Sequence, residues 1–253
     1  ADKIAELGPE NIACFIAEPA QASGGVTMPP PNYLPRMREL CTRHGILFIA
    51  DEIVTAFGRL GHMFASKDVF GIQPDMILCA KGLTSGYIPL SAVLYTDQIH
   101  DVISAPDPDV WFTHGYTYSG HPVACAVGLR NIEIIEREDL CGNAARVGDY
   151  LEKRLSTLSD LPIVGDVRGH RLMMCVEYVR DKKTREKLPD SVNISRRISA
   201  DCEAQGLLVR PIGHLDVLSP PLTMTVKDVD FIVDALRHSI EKGAPWGIPS
   251  RYV

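Results

Sequence analysis

Lys81 stands where an apolar run ends, in PDMILCAKGLTSGYIPLSAVLY (residues 74–95), and the chain passes at once into glycine, serine and threonine. A lysine at the end of a buried strand has its stem packed and its nitrogen facing whatever lies beyond the sheet. Partial desolvation of such an amine pulls its pKa below about 10.4 and makes a nucleophile available near neutral pH. That is what Schiff-base chemistry with a carbonyl compound requires. A lone lysine here also reads as one that snorkels from a strand end to solvent, so the other charged groups matter. Asp51 follows the five apolar residues ILFIA, and Glu18 closes the run NIACFIAE. A carboxylate at the end of a buried strand calls for a cationic partner. Arg210, in GLLVRPIG, also follows an apolar run. It can fork onto a carboxylate through two parallel hydrogen bonds, or serve as an exposed or structural arginine.

These groups need a scaffold, and the pattern supplies one by alternating strand and helix. Residues 1–7 read as the last turns of a helix closed by Gly8 and Pro9, so the chain is expected to begin inside a domain. NIACFIAEP, ILFIADE, Met76–Ala80 and SAVLY (91–95) read as strands, with NYLPRMRELCTRHG an amphipathic helix closed by Gly45. Near-continuous apolar strands separated by helices imply a parallel or mixed sheet covered on both faces. Residues just past the carboxyl ends of such strands line the ligand crevice, and Glu18, Asp51 and Lys81 all fall there. A long helical stretch from HPVACA through NAARVGDYLEKRLSTL leads into a second region. There RLMMCVEYV, GLLVRP and HLDVLSPP read as strands, and TVKDVDFIVDALRHSIEKG as a closing helix with Thr225 as N-cap. The expected division is 1–137, part of a large cofactor-binding domain, and 138–253, a smaller α+β domain.

One cofactor that supplies a cation for the carboxylate of Asp51 is pyridoxal phosphate. Pyridoxal phosphate carries a pyridine nitrogen that a carboxylate keeps protonated, preserving the ring as an electron sink, and Ile53, two residues on, faces the same way to pack on the ring. An apolar run followed by Asp-Glu also resembles the magnesium-binding strand of a nucleotide triphosphatase, but the GxxxxGK[ST] loop that enzyme needs is missing. His114 and His121 have no ligand partners at useful spacing, so no metal site is expected and both read as loop or core histidines.

ADEIVTAFGRLG, PDMILCAKGLTSG and HGYTYSGHPVACA, in that order and spacing, resemble the class III aminotransferases of the pyridoxal-phosphate fold type I superfamily, and most nearly the ω-amino acid or amine:pyruvate transaminases. The resemblance implies that Lys81 forms the Schiff base with the cofactor and shuttles the proton. It makes Asp51 the partner of the ring nitrogen, Ile53 a ring-packing residue and Glu18 a supporting residue. Thr117, in GYTYSGHP, matches the threonine that binds the cofactor phosphate from the neighbouring subunit of a homodimer; Gly120, Pro122 and unpaired amides at the following helix start suit a phosphate. Arg210 matches the arginine that holds the keto acid carboxylate and swings away for a carboxylate-free amine. Val54 stands where many relatives have a glutamine, which leaves that contact to the cofactor's phenolic oxygen in doubt. The implied activity is ping-pong transamination between an amine or ω-amino acid and an α-keto acid such as pyruvate. A racemase, aminomutase or decarboxylase of the same fold, or a non-catalytic fragment, stays open, because the resemblance covers only the C-terminal half or so of a family member.

Composition narrows the partners. Of 253 residues, 45% are hydrophobic and 23% charged, with a net charge of −6 and no basic block; this is a globular balance and argues against nucleic-acid or anionic-membrane partners. Seven cysteines lie singly with no CxxC pair. Cys14, Cys79 and Cys175 sit in apolar runs, so reduced, buried thiols in a cytoplasmic protein are expected. No run reaches membrane-spanning length, and the first residues lack the parts of a signal peptide.

Overall fold

Short apolar runs closed by glycine, proline or charge become the strands of the first of two units, which comprises Ala1–Pro19, Pro29–Gly58 and His62–Asp139. In chain order it holds α1 (Asp2–Leu7), β1 (Cys14–Ala17), α2 (Tyr33–Arg43), β2 (Leu47–Asp51), α3 (Ala65–Asp68), β3 (Met76–Cys79), β4 (Ala92–Tyr95), α4 (Asp97–Ile103) and α5 (Pro122–Arg137). The structure is a computed structural model and describes residues 1–106, 109 and 112–242; residues 243–253 of the expected second domain lie outside the described residues.

The sheet order is β1-β2-β3-β4, with β1, β2 and β3 parallel and β4 antiparallel to β3. Helix α2 buries Leu34 and Cys41, seven residues apart on one face, against Ile46, Phe48 and Ile72. Asp75, just past Pro74, locks the start of β3: its carboxylate accepts from Phe48 N at 2.6 Å and pairs with Arg38 of α2 at 2.5 Å. One side chain thus sets both the strand register and the seat of the helix.

Two expectations need correction. The sheet is not covered on both faces throughout, since Ile16 of β1 and Val93 of β4 are each 54% exposed. Both lie on edge strands, which have a partner on one side only. Cys14 is exposed for the same reason, whereas Cys79 and Cys175 are buried. The long helix is also broken: Asp139, with φ 47°, ends α5 in a left-handed turn.

The second unit comprises Ala20–Met28, Arg59–Gly61 and the chain from Leu140 onward. It holds α6 (Leu140–Ser156), β5 (Val164–His170), β6 (Met173–Tyr178), α7 (Ile194–Ala204), β7 (Arg210–Ile212), β8 (Leu215–Leu218) and α8 (Val226–Glu241). Its sheet, β5-β6-β8-β7, is antiparallel throughout. Ala144, Val147, Leu151 and Leu155 recur at helical spacing on α6 and enter one core with Ile198 and Cys202 of α7 and Val229, Val233 and Leu236 of α8. Thr225 caps α8 in a capping box with Asp228, as the Thr-Val-Lys-Asp spacing implies. Strand β7 begins only at Arg210, because Leu207 turns into the core while Leu208 is 79% exposed.

Arginines hold the two earlier segments in this unit. Arg59 donates to Leu172 O and Pro220 O, and burial pushes its guanidinium down to about 10. Arg168 donates to Gly25 O at 2.8 Å, and Arg171 to Leu60 O at 2.7 Å. His170 pairs with Glu152 at 3.0 Å. Burial opposes ionisation of Glu152, yet that pair and the Arg171 amide hold its carboxyl below the usual range. Both residues therefore serve the β5–β6 hairpin.

Candidate active site

The parallel ladder aligns the carboxyl ends of three strands. Ala17 lies opposite Ala50, and Asp51 opposite Leu78, so Glu18, Asp51 and Lys81 project from one edge of one sheet. Neighbouring strands lie about 4.8 Å apart. Asp51 is half-buried and its Oδ1 accepts from Ile53 N at 3.1 Å. Among the described residues no cation pairs with it. Ile53 is half-buried in the turn after β2, and Glu18 is half-buried just past β1.

Lys81 opens a single 3₁₀ turn, Lys81–Leu83, with φ 40°. This left-handed residue swings the chain off the strand axis and leaves the side chain exposed, so its stem is not packed as expected. Its ammonium makes no ion pair among the described residues. The turn itself is held tightly: Asn131 of α5 donates to Gly82 O at 2.8 Å and Leu83 O at 3.1 Å, and accepts from Ser85 Oγ at 2.8 Å. Beneath it, a Cβ on Gly82 would lie 2.9 Å from Phe57 Cβ, so only glycine lets the two turns meet.

Thr117 lies in an exposed turn ahead of α5. Gly120, with φ 68°, has open space around it, and Pro122 takes the first helical position. One expected amide donor is already taken, because His121 Nδ1 accepts from Ala124 N at 3.4 Å. His114 sits edge-on to Tyr116, ring centres 5.2 Å apart. Arg210 belongs to the second unit, where it is exposed at the start of β7 and lines an apolar cavity of about 590 Å³ with Leu208, Val209, Pro221 and Phe231. The structure thus gathers Glu18, Asp51, Ile53 and Lys81 on one sheet edge, sets Thr117 on a loop of the same unit and leaves Arg210 in the other.

Two residues of this site escape a motif reading. Asn131 follows Ala124 and Gly128 on the buried face of α5, so a polar residue at helical spacing among small ones was its signal. Glu52, fully buried beside Asp51, was legible only as the second half of an Asp-Glu pair. Among the described residues no group of three His, Cys, Asp or Glu could hold a metal, and no helix is long and apolar enough to cross a membrane.

A sequence model of the family described as class-III aminotransferase matches residues 1–240. The chain is 42% identical over 243 residues to a putrescine–pyruvate aminotransferase of Pseudomonas aeruginosa, covering 96% of this chain and 52% of that protein. It is 40% identical to a mitochondrial γ-aminobutyrate transaminase of Solanum lycopersicum, covering 92% and 45%. Among solved structures, a pyridoxal-phosphate-bound amine transaminase from an uncultivated Pseudomonas species superposes with a TM-score of 0.91 at 46% identity, covering 95% and 55%. An (S)-enantioselective ω-transaminase from Thermomicrobium roseum gives 0.91 at 42% identity, covering 95% and 53%. The chain spans about half the length of the relatives it matches.

Proposed function

The chain belongs to the class-III aminotransferases, and from that premise we propose that it carries the chemical centre of a pyridoxal-phosphate-dependent transaminase. The reaction moves an amino group between a primary amine or ω-amino acid and an α-keto acid such as pyruvate, in two half-reactions. The observation that carries this reading is the pairing of an uncommitted ammonium, Lys81, with an uncommitted carboxylate, Asp51, at the ends of adjacent strands. Pyridoxal phosphate matches both: when bound it supplies an aldehyde for an amine and a protonated ring that accepts the electron pair left on a substrate carbon.

In this reading Lys81 Nζ would hold the cofactor and would take up and return the proton of the substrate carbon. Asp51 accepts the hydrogen bond of the ring nitrogen, and its Ile53 N contact fixes the carboxylate's rotation. Ile53 packs on the ring, Thr117 donates to the phosphate of the neighbouring subunit, and Glu18 supports the pocket. Arg210 holds the keto acid carboxylate with a forked pair of hydrogen bonds. The names of the relatives, putrescine with pyruvate in one and γ-aminobutyrate in the other, favour a donor amine remote from any α-carboxylate. A cytoplasmic homodimer is part of the same proposal.

Borohydride reduction in the presence of pyridoxal phosphate, followed by peptide mass mapping, tests it. Reduced cofactor is expected on Lys81, and Lys81→Ala should lose the adduct while keeping the circular dichroism of the parent, because an exposed turn residue adds little to packing. Labelling spread evenly over surface lysines such as Lys3 and Lys183 would sink the assignment.

A further inference from the structure

Glu52 directly follows Asp51 and is 0% exposed. Its carboxylate collects four hydrogen bonds: Oε2 accepts from Ala65 N at 2.7 Å and Thr55 Oγ1 at 3.1 Å, and Oε1 from Ser66 N at 2.9 Å and Ser66 Oγ at 2.5 Å. Among the described residues no cation pairs with it. A carboxylate buried without a counter-ion is costly unless its lone pairs are satisfied, and here each oxygen has two donors. Its backbone is committed as well. Glu52 N donates to Leu78 O of β3 at 2.9 Å, and Glu52 O accepts from Ala56 N at 3.0 Å. The turn so held is the wall under the reactive lysine, since Phe57 Cβ and Ala56 O lie 2.9 Å and 3.4 Å from where a Gly82 Cβ would stand. A single buried group therefore runs from the strand end that presents Asp51 to the turn that presents Lys81.

We propose that Glu52 is a positioning residue that sets the spacing of Asp51 and Lys81, acting through the Thr55–Phe57 turn. The inference rests on the reading of Asp51 and Lys81 as the reactive pair. It is a distinct role from closing α3, which the Ala65 and Ser66 amides alone would serve.

Glu52→Gln is the near-isosteric test. The two hydroxyl donors can rotate to become acceptors, but the Ala65 and Ser66 amides cannot, and they address different oxygens. Whichever way the glutamine amide turns, one N–H faces an NH₂ group. Hydrogen exchange on the chain itself, with no cofactor, reads the consequence. Ala56, Phe57, Leu83 and Thr84 amides, all hydrogen-bonded in the parent, should exchange faster by about tenfold or more, with the amides of β6 unchanged. Acceleration confined to Ala65 and Ser66 would overturn the proposal and leave Glu52 a cap of α3. Should Glu52→Gln fail to fold, Thr55→Val removes only the donor on the turn, and unaltered exchange at Leu83 and Thr84 would equally overturn it. Pyridoxal phosphate trapping gives a second readout: Glu52→Gln should slow labelling of Lys81 relative to Lys3 severalfold. If Lys81 in the parent labels no faster than Lys3 while the exchange pattern holds, the transaminase reading fails and the coupling of the two strand ends stands.

Discussion

Asp216 shows what a single buried residue does to the second unit. It lies in the interior strand β8, 0% exposed, with Tyr178 OH at 2.7 Å and Ser195 Oγ at 2.6 Å as its donors. Cys202 of α7 lies near it, while Cys175 of β6 stands on the other face of the sheet; burial pushes the two thiols up to about 11 and about 12. Burial raises the Asp216 carboxyl to about 6, against the two hydroxyl bonds that lower it. The folded state therefore binds this proton more tightly than the unfolded chain, where the ordinary value is about 3.9. Its stabilising contribution is present in full below about pH 4 and lost as pH rises through about 6, a swing on the order of 3 kcal/mol. Asp216→Asn should flatten that part of the profile. Urea midpoints of parent and variant at pH 4.5 and 7.5 check it: the difference between the two proteins should change by about 2 kcal/mol across this part of the window, and a constant difference would contradict the assignment.

At the scale of elements, helix α6 and the β5–β6 hairpin meet at Gly148, where an added Cβ would lie 2.7 Å from Arg171 Cα. Helix propensity favours Gly148→Ala by about 1 kcal/mol, but the approach is to backbone, which cannot swing aside, and overpacking costs about 1–3 kcal/mol. Arg171 is itself held at φ 51° with its Nη1 on Leu60 O, so the hairpin has little room to retreat. The substitution is expected to lower stability by up to about 2 kcal/mol net, seen as an earlier denaturation midpoint at unchanged slope. A gain would mean that the hairpin moves. The glycine was visible in the sequence as a mild helix weakness only; its reason lies in a partner 23 residues away in the chain.

At the scale of the whole molecule, the chain spans about half the length of its relatives and leaves Val93, Leu94 and Tyr95 of β4 exposed. The proposed homodimer joins Lys81 of one subunit with Thr117 of the other in each site. In the complete protein, Lys81→Ala and Thr117→Asp should each be inactive, the second by setting a negative charge against the cofactor phosphate. Mixed under conditions of subunit exchange, they form a dimer in which one site inherits both defects and the other neither. Recovery of activity is expected, with at most half of the sites of each mixed dimer active. Proven exchange without recovery would place Thr117 in its own subunit's site.

The sequence by itself determined the strand-and-helix alternation, the caps Gly45 and Thr225, and the placement of Glu18, Asp51 and Lys81 at strand ends, because local pattern and turn chemistry act over a few residues. The family followed from three ordered motifs. What it could not supply was the part played by Asn131, Gly148 and Asp216, nor the bonds of Glu52 to Ala65 and Ser66, because these partners lie 13 or more residues away in the chain. Nor could it supply exposure: Lys81, Cys14 and Arg210 each follow or sit in apolar runs, yet all three are exposed. Burial depends on which neighbours the folded chain brings over a residue, and only the tertiary structure decides that.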